Sequence, residues 1–255
     1  MRDPVTLLPS KSVLGRAVRL PLRLLPRGRA MPILSGTLRG GRWVVGAGVH
    51  SCWLGTYELE KQHQFVGHVR QGGVVYDIGA HAGFYTLLSS RLVGPAGMVF
   101  AFEPSPLNLP HLRRHVELNR CANVRVLDCA ISDEAGEMGF DLAGSYQGRI
   151  SEGGSVKVRV RTIDELIASG EVRPAQLVKI DVEGAELKVL KGGEQFFRKH
   201  HPTLFLATHG EQVHAECCEL LSGWGFVVSP LGKGTDLKHT DELLVEWPAP
   251  AGTSA

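Results

Sequence analysis

The stretch Gly73-Val74-Val75-Tyr76-Asp77-Ile78-Gly79-Ala80-His81-Ala82-Gly83-Phe84-Tyr85 constrains this chain more than any other. A short apolar run leads into an acid, glycines follow two and then four residues on, and an apolar helical pattern begins. That order reads as a buried parallel strand, a tight turn and a helix start. In an open α/β sheet such a turn lies outside the carboxyl end of a strand, where ligands bind. Gly79 and Gly83 leave room for backbone to approach a ligand and for the helix to pack on the strand. The wording D-x-G-x-x-x-G places Asp77 where the dinucleotide fingerprint has a glycine. A carboxylate there repels a pyrophosphate but suits a cationic ligand, or one bearing hydroxyls and an ammonium.

The pattern downstream repeats strand, helix, strand, helix. Residues 84–93 read as a helix broken by Gly94-Pro95-Ala96-Gly97, and residues 98–102 as a second apolar strand ending in Glu103-Pro104. Ser105 with Pro106 predicts a helix start and a helix to about residue 119. Residues 124–127 form a third strand, leading to Asp128-Cys129-Ala130. Two alternating runs at 137–142 and 155–160 predict an antiparallel excursion around a Gly/Ser-rich loop, and Thr162 to Glu165 a capping box. A fourth strand at 176–181 precedes a helix to about residue 200. A fifth strand at 203–208, a helix at 211–222 and a hairpin-like pair at 225–229 and 242–247 complete the pattern. Apolar strands alternating with helices predict a doubly wound, mostly parallel α/β sheet.

The organisation expected is a basic, proline-rich leader over residues 1–30, a hairpin and helix over 31–70, the main domain over 71–248 and a flexible tail over 249–255. The hairpin is predicted from residues 32–36 and 42–46 flanking Gly40-Gly41. Seven basic residues against Asp3 give the leader +6, so the remaining chain carries −4 of the overall +2. That balance excludes a nucleic-acid-binding composition for the main domain. The leader could touch anionic lipid or an acidic partner, whereas a poorly ordered segment is the plainer expectation. Five irregularly spaced cysteines point to reduced thiols in a cytoplasmic protein.

Three successive strand ends carry an acid: Asp77, Glu103 and Asp181. In a doubly wound sheet these ends face one crevice. Glu103 follows Asp77 by 26 residues, a spacing at which an acid meets a ribose diol. An ionised carboxylate accepts the two hydrogen bonds that vicinal hydroxyls donate. Three acids in register thus predict a nucleoside-type ligand.

At this point the chain resembles the FkbM-type S-adenosylmethionine-dependent methyltransferases of the class I fold. The similarity rests on V-Y-D-I-G-A-H-A-G (75–83), V-F-A-F-E-P (99–104), Asn123-Val124 with Ala130, K-I-D-V-E-G-A-E (179–186) and residues 204–209. It implies a seven-stranded class I methyltransferase sheet with S-adenosylmethionine as cofactor. It places Asp77, Gly79, Ala80 and Gly83 at the cofactor's amino-acid end, Glu103 with Pro104 at the ribose, and Ala130 beside the adenine. Asp181 faces the methionine end and the acceptor, a hydroxyl on a sugar, glycan or natural product. The family usually carries a glutamate two residues before the histidine at the fifth strand's end, and this chain has Ala207 there.

A sulfonium is a cation, so acids and aromatic faces near it are favourable. Methyl transfer is an in-line displacement, so holding the reactants in line supplies most of the catalysis. A hydroxyl acceptor also loses a proton, and His209 is the candidate base, with Asp181 as its orienter or as an acceptor-binding group. His81, inside the glycine turn, is the weaker candidate. His209, His214, Cys217 and Cys218 match no standard zinc spacing, and no metal is expected there. Two other readings stay open: a nicotinamide-dependent oxidoreductase, which Asp77 disfavours, and a non-catalytic cofactor-binding adaptor, consistent with Ala207.

Overall fold

The computed structural model describes residues 26–141, 149–150, 154, 156–232 and 236–248. The leader to residue 25, the tail from residue 249 and most of the Gly/Ser-rich loop lie outside these residues. The chain divides into two compact units, Met1–Leu59 and Glu60–Ala255. Among the described residues no helix is long and apolar enough to cross a membrane.

In the first unit β1 (Ala30–Pro32) pairs antiparallel with β2 (Arg42–Val44), and α1 (His50–Leu54) follows. The first strand therefore precedes the predicted one, because residues 33–41 are spent on the turn: Ile33 N–H donates to Gly41 O and Gly40 N–H to Ile33 O. Trp43 and Trp53 are buried here.

The second unit is built on a seven-stranded sheet. Helix α2 (Leu59–His68) is followed by β3 (Val74–Ile78), α3 (Phe84–Val93), β4 (Met98–Phe102), α4 (Leu109–Leu118) and β5 (Val124–Leu127). After an excursion come α5 (Ile163–Ala168), β6 (Leu177–Ile180), α6 (Glu186–Lys191), α7 (Glu194–His200), β7 (Thr203–Ala207), α8 (Glu211–Gly223), β8 (Val227–Pro230) and β9 (Glu242–Glu246). The strand order is β8-β9-β7-β6-β3-β4-β5. The five strands β3 to β7 run parallel, while β9 is antiparallel to both its neighbours. All five residues of β3 and all four of β6 are buried, as strands covered on both faces must be. Phe65 of α2 packs its ring 5.2 Å from Tyr85 and 5.0 Å from Phe205, so residues 60–68 belong with the sheet.

The excursion forms its own four-stranded sheet. β10 (Ala130–Ile131) lies parallel to β12 (Val156–Arg161), β12 antiparallel to β11 (Gly136–Asp141), and β11 antiparallel to β13 (Arg149–Ile150). These four are numbered after the main sheet and precede α5 in the chain. Thr162 caps α5 as its spacing predicts, its hydroxyl accepting from Glu165 N–H at 3.1 Å.

Two helices depart from expectation. The helix predicted from Ser105 begins four residues later, with Pro110 in its first turn. Ser105 instead opens a turn, its carbonyl accepting from Asn108 and Leu109 N–H. The helix predicted to reach residue 200 breaks at Gly192-Gly193 into α6 and α7. A Cβ on Gly192 would stand 1.9 Å from Ser132 O, so the chain crosses another backbone there.

His115 of α4 locks the glycine turn from behind. It is fully buried and its Nδ1–H donates to Ala82 O at 2.7 Å. Burial lowers its pKa from 6.5 to about 4, against the pull of that hydrogen bond, and nearby His111 lowers it further. The unfolded chain therefore binds more protons between those two pH values, and stability falls as pH drops through that window. The loss expected from His115 is about 2 kcal/mol between pH 7 and pH 5. Urea denaturation at both pH values checks this, since His115→Gln should lose that much less on acidification than the unaltered chain. Equal losses in the two proteins would refute the assignment.

Candidate active site

Strands β6, β3 and β4 lie side by side and parallel, so the residues at their carboxyl ends open on one crevice. Asp77 is the fourth residue of β3 and is almost wholly buried. Its Oδ2 accepts from Thr86 Oγ1 at 2.6 Å, which fastens the strand to α3. Its Oδ1 accepts no hydrogen bond among the described residues.

Lys179 faces that oxygen across 3.6 Å and reaches Asp181 Oδ2 at 3.3 Å. The strand register sets Lys179 directly opposite Asp77, which is why one ammonium can bridge both acids. The ammonium also sits 5.4 Å from the centre of the Tyr85 ring. Sequence reasoning left this lysine without a role. Its signal was a lone cation inside an otherwise apolar strand, a placement that demands a partner.

Gly79 and Gly83 both take positive φ, +78° and +95°. A Cβ on Gly79 would meet Asp181 O at 1.9 Å, so the turn passes hard against the end of β6. Ala80 is buried in a small cluster with Ala101 and Leu112.

Glu103, at the end of β4, is buried and already engaged. Its Oε2 accepts from His81 N–H at 2.7 Å, and its Oε1 from Ser105 N–H at 2.9 Å and Asn108 Nδ2 at 3.3 Å. Burial raises its pKa, while the donors at Ser105, His81 and Asn108 oppose that rise and the charge of Asp77 adds to it. The carboxylate thus ties the glycine turn to the start of the next segment, and its remaining lone pair is what a ligand hydroxyl could use. Pro104 follows it, half-buried. His81 contributes its backbone N–H here, and burial and the charge of Lys179 depress its imidazole pKa, with Asp181 opposing.

Asp77, Gly79, Glu103 and Asp181 are therefore brought together. Ala130 is not joined to them through its side chain, which packs with Phe140, Val158 and Val160 in the excursion.

The acceptor side is built by Asp181, Glu183, Glu186 and His209. Glu186 is fully buried, and its Oε1 accepts from Val182 N–H, from Gly184 N–H and from His209 Nδ1 at 2.8 Å. His209 Nε2 then faces Glu183 Oε2 at 3.7 Å and Asp181 Oδ1 at 3.8 Å. The hydrogen bond from His209 to Glu186 raises the histidine pKa, burial opposes it, and the charges of Glu186, Asp181 and Glu183 add to the rise, placing it at about 9. At neutral pH the ring carries its proton in the free protein, so it can act as a base only after that proton leaves. Burial alone would raise the Asp181 pKa, but Lys179, Lys61 and His209 outweigh it and hold the carboxyl below its usual range.

Ala207 lies directly opposite Glu242 of β9. Glu242 Oε1 accepts from the buried Lys61 at 2.7 Å, and Lys61 Nζ stands 5.6 Å from the Tyr85 ring centre. A carboxylate on the neighbouring strand thus stands beside the position where the resemblance expects a glutamate. No local motif could have revealed it.

His214 is elsewhere engaged, with Thr208 Oγ1 at 2.9 Å and Cys218 Sγ at 3.7 Å, apart from the His209 cluster. All five cysteines are free thiols.

The chain is similar to several known methyltransferases. A hexuronic acid methyltransferase, AglP, of Haloferax volcanii is 34% identical over 122 residues, covering 47% of this chain and 49% of that protein, about half its length. The 31-O-demethyl-FK506 methyltransferase FkbM of Streptomyces tacrolimicus is 30% identical over 209 residues, covering 66% of this chain and 80% of that protein. Among solved structures, the methyltransferase FkbM of Methylobacillus flagellatus shares the fold with a TM-score of 0.51 at 19% identity, over 75% of this chain and 51% of that one. The methyltransferase FkbM domain model matches residues 77–228, which run from Asp77 of the glycine turn past Glu103, Asp181 and His209, and the chain belongs to that family.

Proposed function

We propose that this chain transfers a methyl group from S-adenosylmethionine to a hydroxyl on a sugar or a natural product. The observation that carries the reading is the arrival of Asp77, Glu103 and Asp181 at the ends of three adjacent parallel strands. The donor set fits such a cofactor: the Asp77 Oδ1 oxygen is buried and accepts no hydrogen bond among the described residues, and the crevice is lined with acids rather than a phosphate cradle.

When bound, the cofactor supplies an electrophilic methyl group on a sulfonium. Asp77, Gly79, Ala80 and Gly83 would hold its amino-acid end. Glu103 with Pro104 would hold the ribose, and the backbone around Ala130 would border the adenine. Lys179 keeps Asp77 and Asp181 in place, and so holds the two walls of the crevice at fixed spacing. Asp181 and His209 would meet the acceptor, Asp181 by accepting a hydrogen bond from its hydroxyl. The names of AglP, a hexuronic acid methyltransferase, and FkbM, a 31-O-demethyl-FK506 methyltransferase, support a hydroxylated acceptor of that kind. A family of methyltransferases also leaves no place for the nicotinamide alternative. A cytoplasmic setting, and contact of the basic leader with anionic lipid or an acidic partner, belong to the same proposal.

Calorimetry with S-adenosylhomocysteine tests the cofactor assignment. Binding in the micromolar range is expected, weakened tenfold or more in Glu103→Gln, because an amide cannot accept from all the donors that the carboxylate serves. Absence of binding, or an unchanged affinity in the variant, would overturn it.

A further inference from the structure

The mechanism leaves unexplained why His209 is held so firmly beside two carboxylates it does not hydrogen-bond. Nε2 stands 3.7 Å from Glu183 Oε2 and 3.8 Å from Asp181 Oδ1, beyond hydrogen-bonding range. One donor atom from each of the three residues falls within a 4.8 Å cluster. Donor atoms about 2.0–2.2 Å from a shared cation lie some 3–4 Å apart, which is the spacing of both Nε2 contacts.

A second observation points the same way and lies outside the cluster. Glu186, fully buried, accepts a hydrogen bond from Nδ1–H, which turns Nε2 toward Asp181 and Glu183, where a bound cation would displace the Nε2 proton. A carboxylate on the far nitrogen is the arrangement that orients and strengthens histidines as metal ligands. Two backbone N–H groups, of Val182 and Gly184, hold Glu186 in turn, and its Oε2 is buried without a hydrogen bond among the described residues. The donors come from the ends of two neighbouring parallel strands, β6 and β7, and Glu183 takes a left-handed backbone, φ 56°.

We propose that Asp181, Glu183 and His209 form a binding site for a divalent first-row cation, with oxygen ligands from the acceptor completing its coordination. Two carboxylates and one imidazole suit Mn²⁺, Fe²⁺ or Zn²⁺ better than a site made of oxygen alone. The side chains are partly exposed, from 27% for Asp181 to 35% for Glu183 and His209, which leaves further positions open on the solvent side. A vicinal diol or a uronic carboxylate could occupy those positions. The site itself stands on the geometry alone, whereas its service to the acceptor rests on the methyltransferase reading.

The test is a Mn²⁺ titration of the full chain followed by the electron paramagnetic resonance of free Mn²⁺, with Mg²⁺ and Zn²⁺ as competitors. One site per chain is expected, with affinity reduced tenfold or more in His209→Ala and in Glu183→Gln. Glu183 is partly exposed and its variant keeps the side-chain shape, so it remains informative if His209→Ala fails to fold. No stoichiometric binding up to millimolar Mn²⁺, or binding indifferent to both substitutions, overturns the proposal. S-adenosylhomocysteine calorimetry in a chelator runs alongside. Cofactor binding without Mn²⁺ binding sinks the metal site alone. Mn²⁺ binding without cofactor binding sinks the methyl-donor reading and leaves the site.

Discussion

Lys179→Met is expected to cost about 3–5 kcal/mol of folding stability, the range for stripping one partner from a buried ion pair. Lys179 is 5% exposed and Asp77 1%, so the carboxylate left behind has no solvent to turn to. Among the described residues only Thr86 still donates to it. Asp181 is better placed to recover, being 27% exposed. The contrast is with Arg114 and Glu117, whose 2.8 Å bridge lies in solvent and is worth about 0–1 kcal/mol. Equilibrium denaturation measures the loss. Asp77→Asn added to Lys179→Met should recover part of it, because the amide keeps an acceptor for Thr86 and carries no charge to strand. A single-variant loss below about 1 kcal/mol, or a double variant no more stable than the single, would show that the lysine does not hold these acids.

Gly79→Ala should be nearly as damaging, for a steric reason. The new Cβ would stand 1.9 Å from the carbonyl oxygen of Asp181, and backbone at both sites is hydrogen-bonded into the sheet. Strands β3 and β6 would have to part or the turn would have to rebuild. Overpacking of that kind costs about 1–3 kcal/mol, and the left-handed backbone adds about 1 kcal/mol. S-adenosylhomocysteine affinity should fall more than tenfold, since the turn that would hold it moves. Gly170→Ala is the matched control: its φ is +72° against +78°, yet a Cβ there meets nothing within 4 Å. The control should lose only the backbone contribution, about 1 kcal/mol. Equal losses in the two variants would mean that conformation, not the close approach to β6, is what Gly79 supplies.

These two positions also mark how far the linear chain can be read. Gly79 announced itself: a glycine two residues past an acid, after an apolar strand, is legible because the turn needs it within a few residues. Its reason for being glycine, the Asp181 carbonyl, comes from about a hundred positions away. Lys179 sat inside a quoted motif and carried no assigned role, because its partner Asp77 is set by strand register. The capping box at Thr162 was legible as a local hydrogen bond. The start of α4 lies later than the sequence predicts and the break at Gly192-Gly193 has no counterpart in it, since turn geometry and a crossing backbone at Ser132 decide them. Glu103 was legible as a strand-end acid facing the crevice, whereas its burial and its three protein donors were not, two of them lying in the turns on either side of it.

By itself the sequence determined the alternation of strands and helices, the glycine turn, the three acids at strand tips and the family to which they belong. The first three depend on periodicities and spacings of residues, whereas the family is read from a resemblance of motifs. Only the tertiary structure decided that Lys179 bridges Asp77 and Asp181, that Glu242 stands opposite Ala207, and that Glu186 turns His209 toward Asp181 and Glu183. Each of those pairings crosses from one strand or helix to another. The order and register in which strands assemble place such groups together, and no local rule of sequence encodes that order.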